Sequence, residues 1–153
     1  MTLIATLPSI VLDAETDAAI IQRMQTWHVG RVFKDPRGAL EQATDALIAA
    51  ETSDSEAAVA HGLLVASAAQ VFLGNSDSAF DQLDRARALF RSVGDEWGDL
   101  TALLRMNVVW ESRGQLKNAV RKFPTAIQRA RDLDDPVLLI GFLNDLGLVQ
   151  REN

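Results

Sequence analysis

The stretch LKNAVRKFPTAIQRARDL, residues 116–133, decides how the rest of the chain is interpreted. Its apolar residues recur in steps of three and four, and this spacing places them along one side of an α-helix. They are Leu116, Ala119, Val120, Phe123, Ala126, Ile127, Ala130 and Leu133. The stretch predicts an amphipathic helix that buries this side against neighbouring helices.

The same apolar stripe occurs twice more, at intervals of 40 residues, as the positions of Ala39, Ala79 and Ala119 show. The three matching sets are Ala39, Leu40, Ala43, Ala46, Leu47 and Ala50; Ala79, Phe80, Leu83, Ala86, Arg87 and Phe90; and Ala119, Val120, Phe123, Ala126, Ile127 and Ala130. Only Arg87 departs from the apolar pattern. A fixed period of this size indicates an array of stacked helix pairs, because one pair alone cannot bury its stripe.

Composition limits the class of protein. The chain has 153 residues, of which 48% are hydrophobic, enough for one domain with a buried core. A net charge of −6 argues against a nucleic-acid-binding surface, and the absence of Cys excludes disulfides and thiolate metal sites. We find neither a basic signal peptide nor an uncharged apolar run of about 20 residues, and therefore expect a soluble, cytoplasmic protein without a membrane partner.

Turn and capping residues divide the chain into about seven predicted helices. These breaks lie at Asp35-Pro36, Thr52 to Asp54, Gly74, Gly94-Asp95, Gly114 and Asp134 to Pro136. The prediction is an all-α, right-handed superhelix of antiparallel helix pairs over residues 14–153, after a lead-in segment at 1–13. Its units are about 14–53, 54–93 and 94–133, with a partial unit at 134–153. Pro124 lies inside the helix predicted over 116–133, so we expect a kink between Val120 and Pro124.

A glycine ends the first helix of two units, and alanines recur in the second helix of each. The residues are Gly74 with Ala79 and Ala86, and Gly114 with Ala119 and Ala126. On these residues, and on Leu146-Gly147 in the last helix, the chain resembles the tetratricopeptide repeat family. The 40-residue unit is similar to the variant found in large bacterial regulators, longer than the usual unit of about 34. The resemblance implies a non-catalytic protein-interaction or sensory module, the N-terminal part of a larger bacterial signalling or transcription regulator.

In this family the first helices of the units line a concave groove. Carrying the groove positions over by register gives Met24, His28, Arg31, Leu64, Ala68, Val71, Leu104, Val108, Glu111, Asn144, Leu148 and Arg151. The resemblance thus implies a groove that is apolar at its centre and charged at its rim, suited to an apolar or amphipathic segment of another protein. The chain lacks the family's Lys and Asn pattern for a free peptide C-terminus.

Three alternatives stay open. Residues 1–12 could cover the groove themselves. The last helix is apolar over a wide arc, so a second copy could cover it, with Leu139 and Leu143 as self-association residues. The groove could instead close on a small ligand, as in the regulatory domain of a diguanylate cyclase (GGDEF) protein.

The chemistry-bearing residues do not assemble into a catalytic or metal set. His28 and His61 are the only histidines and fall on different predicted helices. Gly94-Asp95-Glu96 resembles part of a GGDEF motif, but its position predicts an inter-repeat turn with acids at a helix start. We therefore expect no enzyme activity, no metal and no cofactor.

Overall fold

The structure, a computed structural model, describes residues 34–52 and 54–151, apart from the side chain of Ala46. Its elements are α1 Pro36–Thr52, α2 Glu56–Phe72, α3 Ser76–Ser92, α4 Glu96–Ser112, a 3-10 helix Leu116–Lys122, α5 Phe123–Asp132 and α6 Pro136–Arg151. Every regular element in these ranges is helical, so the expectation of an all-α chain is confirmed there. The lead-in segment and the first predicted helix lie outside the described residues. No described helix has the length and apolarity to cross a membrane.

The predicted stripe lies mainly on the buried side of the helices, although Leu133, its last residue, is 36% exposed. Ala39, Ala79 and Ala119, which share one register position, are all fully buried. Ala86 and Ala126, at the next small position, are buried as well. A methyl group at these positions allows the neighbouring helix to approach closely, which a dense protein interior requires. The 40-residue period therefore corresponds to a repeated burial pattern.

Tight turns join the helices at intervals of 20 residues, half of the sequence period. The central residue of each turn has a positive φ; these residues are Asp54 (61°), Gly74 (80°), Gly94 (74°), Gly114 (65°) and Asp134 (52°). Glycine adopts this left-handed conformation without a steric penalty, and Asp tolerates it better than most residues. All five turns between the described helices thus have a left-handed residue at their centre.

Polar residues after three of these turns start the next helix. Ser55 accepts a hydrogen bond from the backbone N–H of Ala58, and Asp95 accepts one from Gly98. Asp135 accepts a bond from the N–H of Leu138 in the same way. Such caps satisfy N–H groups that have no partner within the helix.

Two large core clusters meet at α4, and a third, small one lies between α1 and α2. The first joins α1 to α4 and includes Leu83, Phe90 and Met106. The second joins α4, the 3-10 helix, α5 and α6, and includes Leu100 and Phe123. Because α4 contributes to both clusters, its two sides connect the successive units.

The helices fall into two sets according to their contacts. Each element packs against the next along the chain, and α4 also contacts α2 on one side and α6 on the other. Within the described residues, α3 has no comparable contact with α1 or α5. The helices α2, α4 and α6 therefore form a contiguous layer, called the inner layer below.

The stretch over residues 116–133 is not one kinked helix. It begins as the 3-10 helix and changes to α-helix at Phe123, so that Pro124 lies in the first turn of α5. A proline in the first turn removes no helical hydrogen bond, because the N–H groups there have no helical acceptor. The change of helix type takes the place of the predicted kink.

We expect Gly98→Ala to destabilise the protein, because the close contact between α3 and α4 leaves no room for a methyl group. An added Cβ would lie 2.2 Å from Cδ1 of Phe90, a ring that is fully buried. The free energy of unfolding, measured by urea denaturation, should fall by about 1–3 kcal/mol.

Gly147→Ala is the matched control, since an added Cβ there meets nothing within 4 Å. This variant should be more stable than the wild type by roughly 0.5–1 kcal/mol, because alanine restricts the unfolded chain and favours the helix. Equal stabilities for the two variants would contradict the predicted close contact.

Candidate functional site

A pocket of about 290 Å³ opens on the inner layer between α2 and α4. Its lining residues are Ser67, Ala68, Val71, Phe72, Leu83, Arg105 and Val108. Leu83 is fully buried, whereas Phe72 and Val108 are 50% and 46% exposed. Two large apolar side chains therefore remain accessible to solvent beside a recess of ligand size.

The polar groups of α2 in this pocket are satisfied internally. The hydroxyl of Ser67, a buried residue, donates to the carbonyl oxygen of Leu64 at 2.8 Å. The remaining lining from α2 is apolar. Arg105 thus provides the positive charge of a mainly apolar lining.

Arg105 connects the two helices that form the pocket. Its Nη1 donates to the same carbonyl oxygen of Leu64, also at 2.8 Å, although the two residues lie on α4 and α2. Burial lowers the pKa of Arg105 to about 10, so the guanidinium remains charged at neutral pH. Within residues 34–52 and 54–151, no carboxylate lies within ion-pair distance of Arg105.

A separate cluster of charges surrounds Asp99, a buried residue at the start of α4. Nε of Arg87 donates to Oδ1 of Asp99 at 2.7 Å, and Nη2 of Arg129 donates to Oδ2 at 2.7 Å. Burial, the largest influence, raises the pKa of Asp99, but the two arginines outweigh it and hold the pKa below its ordinary value. Arg129 also pairs with Glu96, and these two hydrogen-bonded carboxylates raise its pKa above the usual range. The cluster ties α3 and α5 to α4, and we interpret it as structural.

A half-buried carboxylate, that of Asp145, lies farther along the inner layer, where α4 contacts α6. Nδ2 of Asn107 donates to Oδ2 of Asp145 at 2.7 Å, while the buried Oδ1 of Asn107 has no hydrogen-bond partner within the described chain. Burial raises the pKa of Asp145, the Asn107 bond lowers it and the nearby charge of Glu111 raises it, with a net increase.

The predicted groove residues are distributed over several environments. Ala68, Val71 and Val108 line the pocket. Leu64 is buried, and Leu104 and Leu148 are half-buried. The exposed positions are Glu111, Asn144 and Arg151. Met24, His28 and Arg31 lie outside the described residues.

The two predicted self-association residues differ in exposure. Leu139 is half-buried and packs against the second core cluster, whereas Leu143 is exposed on α6.

His61 is buried beside Phe90, and its Nε2 lies 3.4 Å from Oδ2 of Asp95. This contact, the largest influence, lowers the pKa of Asp95; burial opposes it, and the Gly98 N–H supports it.

The residues of the pocket that sequence reasoning missed include Arg105, Phe72 and Leu83. A signal for Arg105 was present, since it interrupts the apolar run from Leu100 to Trp110 as its only charged residue. The signal became interpretable only once α2 and α4 were known to be in contact.

Comparisons of the chain with models of known protein families, with curated proteins and with solved structures gave no match in any of the three. The resemblance to the tetratricopeptide repeat family therefore stays a prediction. Within residues 34–52 and 54–151, no three His, Asp or Glu side chains are grouped as a metal site.

We expect Asp99→Asn to destabilise the protein at pH 7, because it leaves a buried arginine without its anion. The loss in the free energy of unfolding should be about 3 kcal/mol or more. The pKa of Asp99 is lower in the folded protein than in the unfolded chain, where it is 3.8. The ionised carboxylate therefore contributes its full stabilisation above pH 3.8, and this contribution is lost as the pH falls through the pKa of the folded protein. The difference between variant and wild type should shrink as the pH falls below 3.8.

Urea denaturation at a series of pH values measures this difference. Asp81→Asn on the exposed side of α3 is the control and should match the wild type throughout. A difference for Asp99→Asn that stays constant with pH would contradict a role for the ionised carboxylate.

Proposed function

We propose that the chain is a non-catalytic interaction module of tetratricopeptide-like architecture, belonging to a larger bacterial signalling or transcription regulator. Its partner is an apolar or amphipathic segment of another protein that binds the inner layer. The observation that carries this proposal is the pocket between α2 and α4, with exposed Phe72 and Val108 beside it. Accessible apolar groups next to a recess are typical of recognition surfaces.

The contacts between helices support a superhelix of antiparallel pairs with the inner layer on its concave side. Helices α2, α4 and α6 contact one another in turn, whereas α3 reaches neither α1 nor α5 by a comparable contact within the described chain. A stack whose members are closer on one side curves toward that side. The pocket then opens into the concave surface, where an extended or helical segment can contact several units.

The placement of the ionisable groups supports a module without catalysis of its own. Asp99 is paired with Arg87 and Arg129, and Asp95 caps α4 and contacts His61. These carboxylates hold helices together.

We expect a photo-reactive benzophenone residue in place of Val108 to cross-link a distinct protein in cells that naturally express the chain. Val108 lies on the inner layer and is exposed, so a bound segment would come within reach of the probe. Mass spectrometry of the irradiated product identifies the partner. The same probe at Ala88, which is exposed on α3, is the matched control and should not yield that product.

Identical products from the two positions, or no heterologous product from Val108, would contradict binding at the inner layer.

A second candidate function is self-association through α6. Val137, Ile140 and Leu143 are 75%, 57% and 43% exposed on this helix. One unit earlier, Leu100 and Leu103 occupy the positions that correspond to Ile140 and Leu143, and both are buried in the second core cluster. Helix α6 thus presents a surface that the repeat otherwise covers with another helix, and a second copy can supply it.

For this candidate function we measure the molar mass by light scattering over a dilution series. The molar mass of the wild type should rise toward that of a dimer as the protein concentration increases. The double variant Ile140→Asp, Leu143→Asp should stay monomeric, because each aspartate would have to be buried without a partner. Val93→Asp, in the exposed turn before α4, is the control and should associate as the wild type does. A double variant with the wild-type mass at every concentration would exclude association through α6.

A further inference from the structure

Among the arginines that the structure describes, Arg105 differs from the other two with limited exposure. Arg87 is buried and Arg129 is half-buried, and both donate to Asp99. Arg105 is half-buried as well, but its hydrogen bond within the described chain goes to the neutral carbonyl of Leu64. A charged group with restricted access to water is normally compensated by an opposite charge. The pocket therefore contains a positive charge that its described surroundings leave uncompensated.

The guanidinium retains hydrogen-bonding capacity toward a ligand. Arginine has five N–H donors, and Arg105 commits Nη1 to Leu64. Among the described residues, no acceptor lies within hydrogen-bonding distance of its Nε and Nη2. These two nitrogens form the edge of a guanidinium that binds a carboxylate with two parallel hydrogen bonds. The group is held in place by its bond to α2, which lowers the entropic cost of binding.

The rest of the pocket is suited to a hydrocarbon chain. Ala68, Val71, Phe72 and Val108 contribute apolar surface, and the hydroxyl hydrogen of Ser67 is already donated. A volume of about 290 Å³ equals that of about ten water molecules in the liquid, comparable with a chain of about eight carbons. The volume lies at the small end of the range for ligand sites of roughly 300–1,000 Å³.

We propose that this pocket binds a linear, medium-chain monocarboxylate, whose carboxylate pairs with Arg105 and whose chain packs against Val71, Phe72 and Val108. A phosphate or a polar metabolite would leave the apolar lining uncovered, and an uncharged chain would leave Arg105 uncompensated. The ligand would contact α2 and α4 together and would occupy the inner layer, where the partner protein is proposed to bind. With this site the module would sense a small carboxylic acid. This role does not depend on which protein binds the inner layer.

Octanoate and 1-octanol provide the direct test, because they share a chain length and differ in the charged group. We expect isothermal titration calorimetry with the full chain to detect octanoate binding at one site and much weaker binding of 1-octanol. Arg105→Gln, which keeps a donor for the Leu64 carbonyl, should weaken octanoate binding about tenfold or more. Arg105→Lys keeps the charge and should bind more tightly than the glutamine variant.

Arg131→Gln is the matched control, since Arg131 is exposed on α5 and should have no effect on octanoate binding. Val108→Glu places a carboxylate of the protein beside the pocket, where it can pair with Arg105, and should abolish octanoate binding. Circular dichroism checks that each variant is folded. Equal affinity for octanoate and 1-octanol would reduce the site to an apolar recess and overturn the proposal. Absence of octanoate binding, or wild-type binding by Arg105→Gln, would overturn it as well. Cross-linking from Val108 without octanoate binding would leave the protein-interaction function standing and exclude the acid-binding site.

Discussion

Close contact between helices at small residues is the constraint on which the rest of this structure depends. Ala79 and Ala119 are fully buried at corresponding positions, and Gly98 lies so near Phe90 that a methyl group would overlap with the ring. These contacts fix the distance between neighbouring helices, because dense packing leaves little space for adjustment. Five turns with left-handed central residues join the described helices at equal intervals along the sequence. The regular spacing of these turns is what brings each alanine against the next helix.

One departure from the regular pattern is compensated by another. Arg87 replaces an apolar residue of the repeated stripe, and a buried cation there would be costly by itself. Asp99 occupies the position of Val59 in the preceding unit and supplies the anion. Arg129, from the same unit as Asp99, completes the charge balance around this carboxylate. The exchange of apolar for charged residues thus involves three helices at once and links α3 and α5 to α4.

The sequence predicted the parts of the fold that depend on periodicity and left out those that depend on contacts. The 40-residue period identified the helices and the buried alanines, because helical burial repeats directly in the sequence. The five turns lie at breaks that the sequence predicted, but the left-handed conformation of Asp54 and Asp134, which stand where the other three turns have glycine, was not predicted. The pairing of Arg87 with Asp99 could not be derived from spacing, because it joins two helices. Three pocket residues, Ala68, Val71 and Val108, were predicted by aligning the repeats with those of the family that the chain resembles. Arg105 was missed, because the alignment gives the position of a residue in the repeat and not the role of its charge.

The position of Arg105 shows how a repeated scaffold acquires a specific site. In the units 54–93, 94–133 and 134–153 the corresponding residues are Val65, Arg105 and Asp145. Val65 is buried in the core, Arg105 lines the pocket and Asp145 accepts a hydrogen bond from Asn107. The alanines that set helix spacing stay small in every unit, whereas this inner-layer position changes from apolar to cationic to anionic. Variation at a position that does not set helix spacing changes the chemistry of the surface while the packing is preserved. Selectivity of the inner layer for charge is therefore expected to depend on this register position, and Arg105 provides the cationic case.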